Sequence, residues 1–512
     1  MDSPVRLADP REAPTRAVVY VAVAAAAIVV YVGALANRFA LDDLPLIVQN
    51  PVVGVPSGLW RAFVAPYWPP DLGGWMYRPL PVASWALDRL VDGAPWYHLV
   101  NLLWHAGASV AVAALARRVA DDRAALVAGL LFATHPVHVE AVANVVGRAE
   151  LMAGLFVVLA AYAAVVHEHL GWSAAAWALG LLCKENAATL PALVAWSWMV
   201  GLARPSRSRK LAFLASWLVV GALYAGIRSS VLHPYPGFQS VGLIFLGAPP
   251  GAVQVTAVAA LADVARLLVF PLTLRTDYSP LERTVVTSPF DPRALVGLAC
   301  LLMWGALLAL AWRRGRKVEA FGLGWIGVAF LPVANLVFPV GFLVAERTLY
   351  LPSVGLVLAA GVWLARLPRS RLVPVSAALV LLTGVRTALR VPVWRDNATV
   401  TLSILEDSPR SYVGPKRMTG VYLDRHDPVK ALNAARVAVQ VFPSDPTTYL
   451  TGAVAAFAAG RPGAADSLLA NLERVCHRCL GYYRWEAAIA RRFGYAGAAD
   501  SLLARARALE AQ

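Results

Sequence analysis

Charged side chains are scarce in this chain. Asp, Glu, Lys and Arg make up 15% of its 512 residues, while 59% are hydrophobic; soluble domains carry about 25% charged and about 45–50% apolar residues. That shortage excludes an ordinary soluble domain. Acid is scarcer still, with 31 Asp and Glu against 46 Lys and Arg and a formal net charge of +15. Cysteine occurs four times, which excludes a disulfide framework. Only Cys476 and Cys479 have C-x-x-C spacing. No second pair completes a zinc site, leaving a disulfide in an oxidising compartment or two idle thiols. The first apolar run, 17–36, is long, lacks a clean small-x-small cleavage site and is followed by many others, so it reads as a retained span rather than a secretion signal.

What the chain has is apolar runs close to the length that crosses about 30 Å of hydrocarbon. Runs at 17–36, 99–116, 124–142, 149–166, 171–184, 187–203, 211–228, 294–312, 319–337, 350–366 and 372–390 predict an all-α, polytopic membrane protein of about eleven transmembrane helices. The run 251–272 contains Asp263 and Arg266 and must return to the side it left, which predicts an interfacial or re-entrant segment. Basic clusters at Arg117-Arg118, 204–210, 313–317 and 366–371 fall between these runs at spacings that place all four in the cytoplasm. That placement accounts for the positive charge without nucleic acid. It also puts the N-terminus inside and the region after the last span outside.

After Val391 the chain turns polar, Ala-rich and helix-forming, with no further spanning run. "GAADSLLA" at Gly463–Ala470 recurs at Gly497–Ala504, and Gly460 matches Gly494, a period of 34 residues. This is the period of the tetratricopeptide repeat, in which helix pairs stack into a solenoid. "HDPVKALNAARVAVQVFPSDP" fits the second helix of an earlier, more divergent unit. Two domains follow: a membrane domain over 1–392 and an extracytoplasmic tetratricopeptide-repeat domain over 393–512.

Sorted by side, the polar residues gather on one face. Five loops reach the outer compartment: 37–97, 134–150, 183–186, 275–280 and 338–353. They carry the carboxylates Asp42, Asp43, Glu140, Glu150, Glu185 and Glu346 and the cations Arg148, Lys184 and Arg347. Charges at membrane depth are costly and persist chiefly where they pair or line a polar cavity. Carboxylates supply a general base and cations hold a phosphate, a combination suited to transfer from a phosphate-bearing lipid. Each group also has a plainer reading: an acidic pair at a solvated helix end, capping histidines, interfacial ion pairs. His135, His138 and Glu140 follow H-x-x-H-x-E, not the H-E-x-x-H that sets two His on one helix face, so no metal is expected. A membrane scaffold that recruits partners through its repeats, and a transporter, are the competing classes. A transporter would bury its charges near the bilayer midplane, whereas here most lie near span ends.

The strings "LDDLPLIVQNP", "HPVHVEAVANVVGRAELMAG", "LLCKEN", "DYSP" and "FPVGFLVAERTLYLPSVG", in this order and ahead of the repeats, resemble the transmembrane-and-tetratricopeptide-repeat-containing O-mannosyltransferase family. The resemblance covers almost the whole chain. It implies a GT-C type membrane glycosyltransferase that takes a sugar, mannose in this family, from a polyprenyl (dolichyl) phosphate donor. The acceptors it implies are Ser and Thr hydroxyls of protein, and the catalytic residue an aspartate of the first external loop. Carried over here, Asp42 and Asp43 are that acidic pair, with Asp43 preferred as base. The expected holders of the lipid phosphate are Arg347 as a bidentate fork, with Lys184 and Arg148 in support and Glu346 beside them. His135, His138 and Glu140 are expected to position the sugar or orient the aspartates. Trp68, Trp75, Tyr77 and Arg78 are candidate sugar or acceptor contacts. The resemblance calls for no cofactor beyond the lipid-linked donor, and for a protein acceptor, with a repeat-bound protein partner as a further expectation. The short repeat array and the Ala/Arg/Val-rich composition point to a bacterial relative in the cytoplasmic membrane; a eukaryotic member would sit in the endoplasmic reticulum. The departure leaves lipid or cell-wall glycan open as an alternative acceptor.

Overall fold

The computed structural model describes residues 16–235, 242–476 and 479–511. Among the described residues there is no strand, and the chain is a succession of helices. In order they are α1 (Arg16–Tyr31), the single turn α2 (Gly58–Arg61), α3 (Pro79–Asp88), α4 (Ala94–Val119), α5 (Asp122–Thr134), α6 (Val139–Ala143) and α7 (Arg148–Val166). There follow α8 (Leu170–Cys183), α9 (Leu190–Met199), α10 (Arg207–Leu232), α11 (Ala252–Val269), α12 (Pro292–Arg313), α13 (Lys317–Phe330), α14 (Tyr350–Ala365) and α15 (Arg369–Arg390). The C-terminal part holds α16 (Asn397–Asp407), α17 (Val413–Asp424), α18 (Pro428–Val441), α19 (Pro446–Ala458), α20 (Pro462–Val475), α21 (Leu480–Arg492) and α22 (Ala496–Glu510).

Eight helices among the described residues are long and apolar enough to cross a membrane, nine if one bent pair counts as a span, against the eleven or so expected. The shortfall has local causes. The run 124–142 breaks at His135, which is extended ahead of Pro136, and the two halves meet at 46°. The runs 171–184 and 187–203 become α8, with 14 residues, and α9, with 10, separated where Lys184 turns extended. The run 319–337 yields α13, also 14 residues, which spans only about 21 Å. Conversely 251–272 is neither broken nor re-entrant: α11 is one continuous helix of 18 residues that passes as a span on length and composition.

Helices α4, α7 and α14 are mostly buried and form the centre of the bundle. Against α14 packs α13, so closely that a Cβ on Gly355 would lie 2.2 Å from the Gly322 carbonyl oxygen; only glycine permits that approach. Helices α10, α12 and α15 lie outside with leucines such as Leu218, Leu302 and Leu381 exposed, as expected of surfaces facing lipid. The loop 37–93 has a core of its own around Leu46, Ile47, Tyr67, Trp68, Leu72 and Trp85.

Beyond α16, three helix pairs follow in chain order: α17–α18, α19–α20 and α21–α22. Gly460 and Gly494 occupy the turn inside the second and third pairs, both left-handed at φ 67° and 85°, the conformation that favours glycine. His426 takes φ 54° at the equivalent turn of the first pair, 34 positions before Gly460. The sequence period is thus a repeated turn geometry that extends into the divergent unit. Cys476 and Cys479 are joined as a disulfide just before α21. That helix returns to the first loop: Trp485 packs on Trp68 with ring centroids 5.3 Å apart, and Arg492 bridges Asp71 at 2.6 Å.

Candidate active site

The acidic pair of the first loop is split by its backbone. The segment ahead of it is laced to the entrance of the C-terminal domain: Arg38 N–H donates to the Arg395 carbonyl at 2.7 Å and Leu41 N–H to Asn397 Oδ1 at 2.6 Å. Leu41 is held left-handed at φ 53°, a strained state for a bulky apolar residue that persists only where surroundings impose it. The turn that results buries Asp43 and leaves Asp42 exposed. Asp43 is engaged on both oxygens, accepting from Ala40 N–H at 3.0 Å and from Val146 N–H at 2.8 Å. Burial pushes its carboxyl up to about 7; the two backbone donors oppose that rise and the charge of Asp42 adds to it. A carboxylate so enclosed clamps the first loop to the start of α7. Asp42, by contrast, is exposed and has no side-chain partner among the described residues.

Asp42 lies in the electrostatic range of Arg347 and of Tyr67, in a region where three carboxylates orient four cations. Glu140, at the start of α6, accepts from Arg347 N–H at 2.8 Å and pairs with its guanidinium. The Arg347 side chain remains 40% exposed and lies in the electrostatic range of Glu140, Asp42 and Glu150. Glu150 pairs with Lys184 and accepts from Asn186 Nδ2 at 2.9 Å. Burial pushes the Lys184 ammonium down, against the pull of Glu150. Glu185 accepts from Arg78 Nε and Nη2 at 3.0 and 2.8 Å and from Arg228 Nη1 at 3.1 Å. Burial raises the Glu185 carboxyl, but Arg78, with Arg228, outweighs it and holds the group down at about 2. Arg78 also sits over the Tyr67 ring at 5.0 Å. The cations Arg347, Lys184, Arg78 and Arg228 come from four separate stretches of chain. Their paired carboxylates are occupied; among the described carboxylates of this cluster, Asp42 keeps its oxygens unshared.

Other expected site residues are turned elsewhere. Arg148 is fully buried and its donors are engaged: Asp88 by an ion pair, Asn101 Oδ1 at 2.7 Å, the Tyr97 carbonyl at 2.8 Å and Ser84 Oγ at 3.1 Å. With four of its five N–H donors so used and no surface exposed, it pins α3 and α4 to α7 as a structural tie rather than a holder of lipid phosphate. Glu346 is buried and accepts from Arg275 N–H at 2.6 Å and Tyr278 hydroxyl at 3.0 Å, tying down the loop after α11. His135 Nε2 bonds the Leu268 carbonyl at 3.0 Å and His138 Nε2 the Ser353 hydroxyl at 2.7 Å. His138 packs with Phe132, His105 and Tyr350, and His135 packs on His138 at 5.4 Å; with both Nε2 atoms engaged and Glu140 held by Arg347, the three do not converge as ligands. Trp68 and Trp75 stack in the loop core at 5.6 Å, and Tyr77 donates to the Phe63 carbonyl at 2.9 Å. They support the loop rather than line the cation cluster. Among the described residues no three His, Cys, Asp or Glu side chains are grouped to hold a metal.

The sequence reading missed Arg228, Asn186 and Tyr67. Arg228 had a signal: a lone arginine in the last turns of a 26-residue apolar helix, where an ionisable group marks a partner by default. Tyr67 and Asn186 had none.

Comparison with known proteins finds similarity to named transferases. It is 29% identical over 425 residues to the protein O-mannosyl-transferase TMTC3 of Mus musculus, covering 73% of this chain and 46% of that protein. To the human protein O-mannosyl-transferase TMTC4 it is 28% identical, with 76% and 61% covered. To the Drosophila melanogaster protein O-mannosyl-transferase Tmtc2 it is 33% identical over 319 residues, 57% of this chain and 33% of the other. The chain thus spans about half the length of the first of these relatives. No family model matches it, and no solved structure does.

Proposed function

We propose that this chain is an integral-membrane glycosyltransferase that moves mannose from a polyprenyl-phosphate donor to Ser or Thr hydroxyls of a protein acceptor, with its site on the face away from the cytoplasm. The observation that carries the reading is the exposed, unpartnered Asp42 beside cations gathered from four stretches of chain. The named O-mannosyl-transferase relatives supply the reaction class.

Asp42 is the base. It takes the proton of the acceptor hydroxyl, whose oxygen bonds to the anomeric carbon as the carbon–phosphate oxygen bond breaks. The electron pair leaves with the polyprenyl phosphate. Arg347, whose free donors form a planar fork, receives that phosphate, and Lys184 and Arg78 add charge at fixed positions. Their carboxylate partners set their geometry before the donor arrives, so little reorganisation accompanies the reaction. A single displacement inverts the anomeric centre. The stacked helix pairs after α16 form the tetratricopeptide-type domain that presents the acceptor.

The test uses purified full-length protein, a mannosyl polyprenyl phosphate and a Ser/Thr-bearing acceptor. Asp42→Asn is expected to lower transfer by about 10²- to 10⁴-fold, the usual share of a positioned base. Arg347→Lys, which keeps charge and loses the fork, weakens donor binding. Transfer by Asp42→Asn at the wild-type rate, or a product with retained configuration, overturns the proposal.

A further inference from the structure

The two charges that sat awkwardly in an apolar run, Asp263 and Arg266, line a cavity of about 540 Å³ that the proposed reaction does not use. Its walls are α11, the first turns of α12, residues of the loop between them, and Arg410 from the turn between α16 and α17. Four arginines, Arg266, Arg283, Arg293 and Arg410, face two carboxylates, Asp263 and Glu282. Both carboxylates are already engaged. Arg283 forks onto Asp263 at 2.8 and 2.7 Å, and Glu282 pairs with Arg275 from outside the lining. Arg293 forks onto its neighbour Asp291 at 3.0 and 2.9 Å. Arg266 donates to the Thr273 carbonyl at 2.5 Å and makes only a 3.6 Å approach to a carboxylate, Asp263, and Arg410 has no partner among the described residues. The cavity therefore holds positive charge that no side chain answers.

Its setting is amphipathic. The cavity opens where two membrane-length helices end and begin, and the chain beside it presents large apolar side chains: Val296 in the lining is 54% exposed, Phe270 past the end of α11 61%, and Phe290 ahead of α12 81%. Cationic walls with an apolar border at the end of membrane-length helices suit a phosphate headgroup whose tail stays in the bilayer. We propose that this cavity binds the phosphate of an anionic amphiphile, at a site distinct from the Asp42 cluster, with Arg410 and Arg266 as its principal donors. The two sites share no side chain, yet one residue joins them. The loop between α11 and α12 is anchored through Arg275 N–H and the Tyr278 hydroxyl to Glu346, the immediate neighbour of Arg347.

The test titrates the full-length protein in detergent with phosphatidic acid, with phosphatidylcholine of the same chains, and with inorganic phosphate, reading bound lipid by native mass spectrometry. Phosphatidic acid is expected to bind in preference to phosphatidylcholine. Arg410→Gln, at an exposed turn, and Arg266→Gln each weaken it about tenfold, the loss of one charge-assisted contact. In a Lys184→Gln background, which weakens the Asp42 cluster, the tenfold effect of Arg410→Gln persists, and equimolar inorganic phosphate does not displace the lipid. Equal affinity in the wild type and both arginine variants overturns the site, as does equal binding of phosphatidylcholine. Loss of the Arg410→Gln effect in the Lys184→Gln background moves the lipid to the Asp42 cluster. Displacement by inorganic phosphate makes the ligand a free anion.

Discussion

Replacing Asp43 by Asn removes one of the two acceptor oxygens that join the first loop to the start of α7. In the wild type those oxygens accept from Ala40 and Val146 N–H at 3.0 and 2.8 Å, within a fully buried side chain. An amide keeps one oxygen and turns an NH₂ toward the other donor, leaving a buried N–H without an acceptor. The cost is about 1–3 kcal/mol, which corresponds to a fall of about 1–3 °C in the thermal midpoint of a chain of 512 residues. The pH dependence has a definite sign. Burial raises the Asp43 carboxyl to about 7 in the folded chain, from 3.8, so the stability contributed by its protonated form is complete below about pH 4 and is lost as pH rises through about 7. The gap between the wild type and Asp43→Asn is therefore widest near pH 5 and narrows toward pH 8. Tryptophan-emission melts of both proteins across that range measure it. A variant midpoint within 0.5 °C of the wild type at pH 5 (about 0.5 kcal/mol), or a gap that widens with pH, refutes the clamp. An undiminished midpoint with abolished transfer returns the base to Asp43.

Arg148→Met leaves Asp88 buried without its counter-ion, at a cost of about 3–5 kcal/mol; size-exclusion chromatography should show loss of the monodisperse species, and the double variant Arg148→Met/Asp88→Leu should recover it. Glu486, buried in α21 near Thr451, Lys416 and Asp445, has its carboxyl pushed up to about 7 chiefly by burial. The contribution of its neutral form is lost as pH rises through about 7, so Glu486→Gln should melt higher than the wild type at pH 8 and level with it at pH 5; the reverse order counts against a buried acid there.

Apolar runs made most of the helical fold legible, and the repeat was legible because one eight-residue string is copied whole; the structure adds that the paired Gly460 and Gly494 are left-handed turns. Length of hydrophobic run was a poorer guide to span count, since an extended Lys184 and the Pro136 corner each cut a run that composition alone leaves whole. Within the site, Lys184 and Arg347 were found because each sits beside an acid at a helix start. Adjacent acids cannot be told apart by composition, and what separates Asp42 from Asp43 is the left-handed backbone of Leu41, fixed by Asn397 at the far end of the chain. Arg148 was unreadable for the same reason: its partner Asp88 lies 60 residues away, in a loop without periodic signal. Local sequence marks a charge as unusual; only the tertiary partner says whether it is free.

The grip of α21 on the first loop turns what looks like an appended array into a closed ring. The chain leaves the bundle at α15, passes through the helix pairs and fastens back at Trp68 and Asp71, just ahead of the bundle it left. An open solenoid tolerates extra units anywhere along its length. A ring does not: one more pair inserted before α21 would carry Trp485 and Arg492 past their anchors and strip the cover from the loop that holds Asp42. The number of units inside the fastening is set by the gap they bridge, and growth of the array is confined to its free side, beyond the clasp.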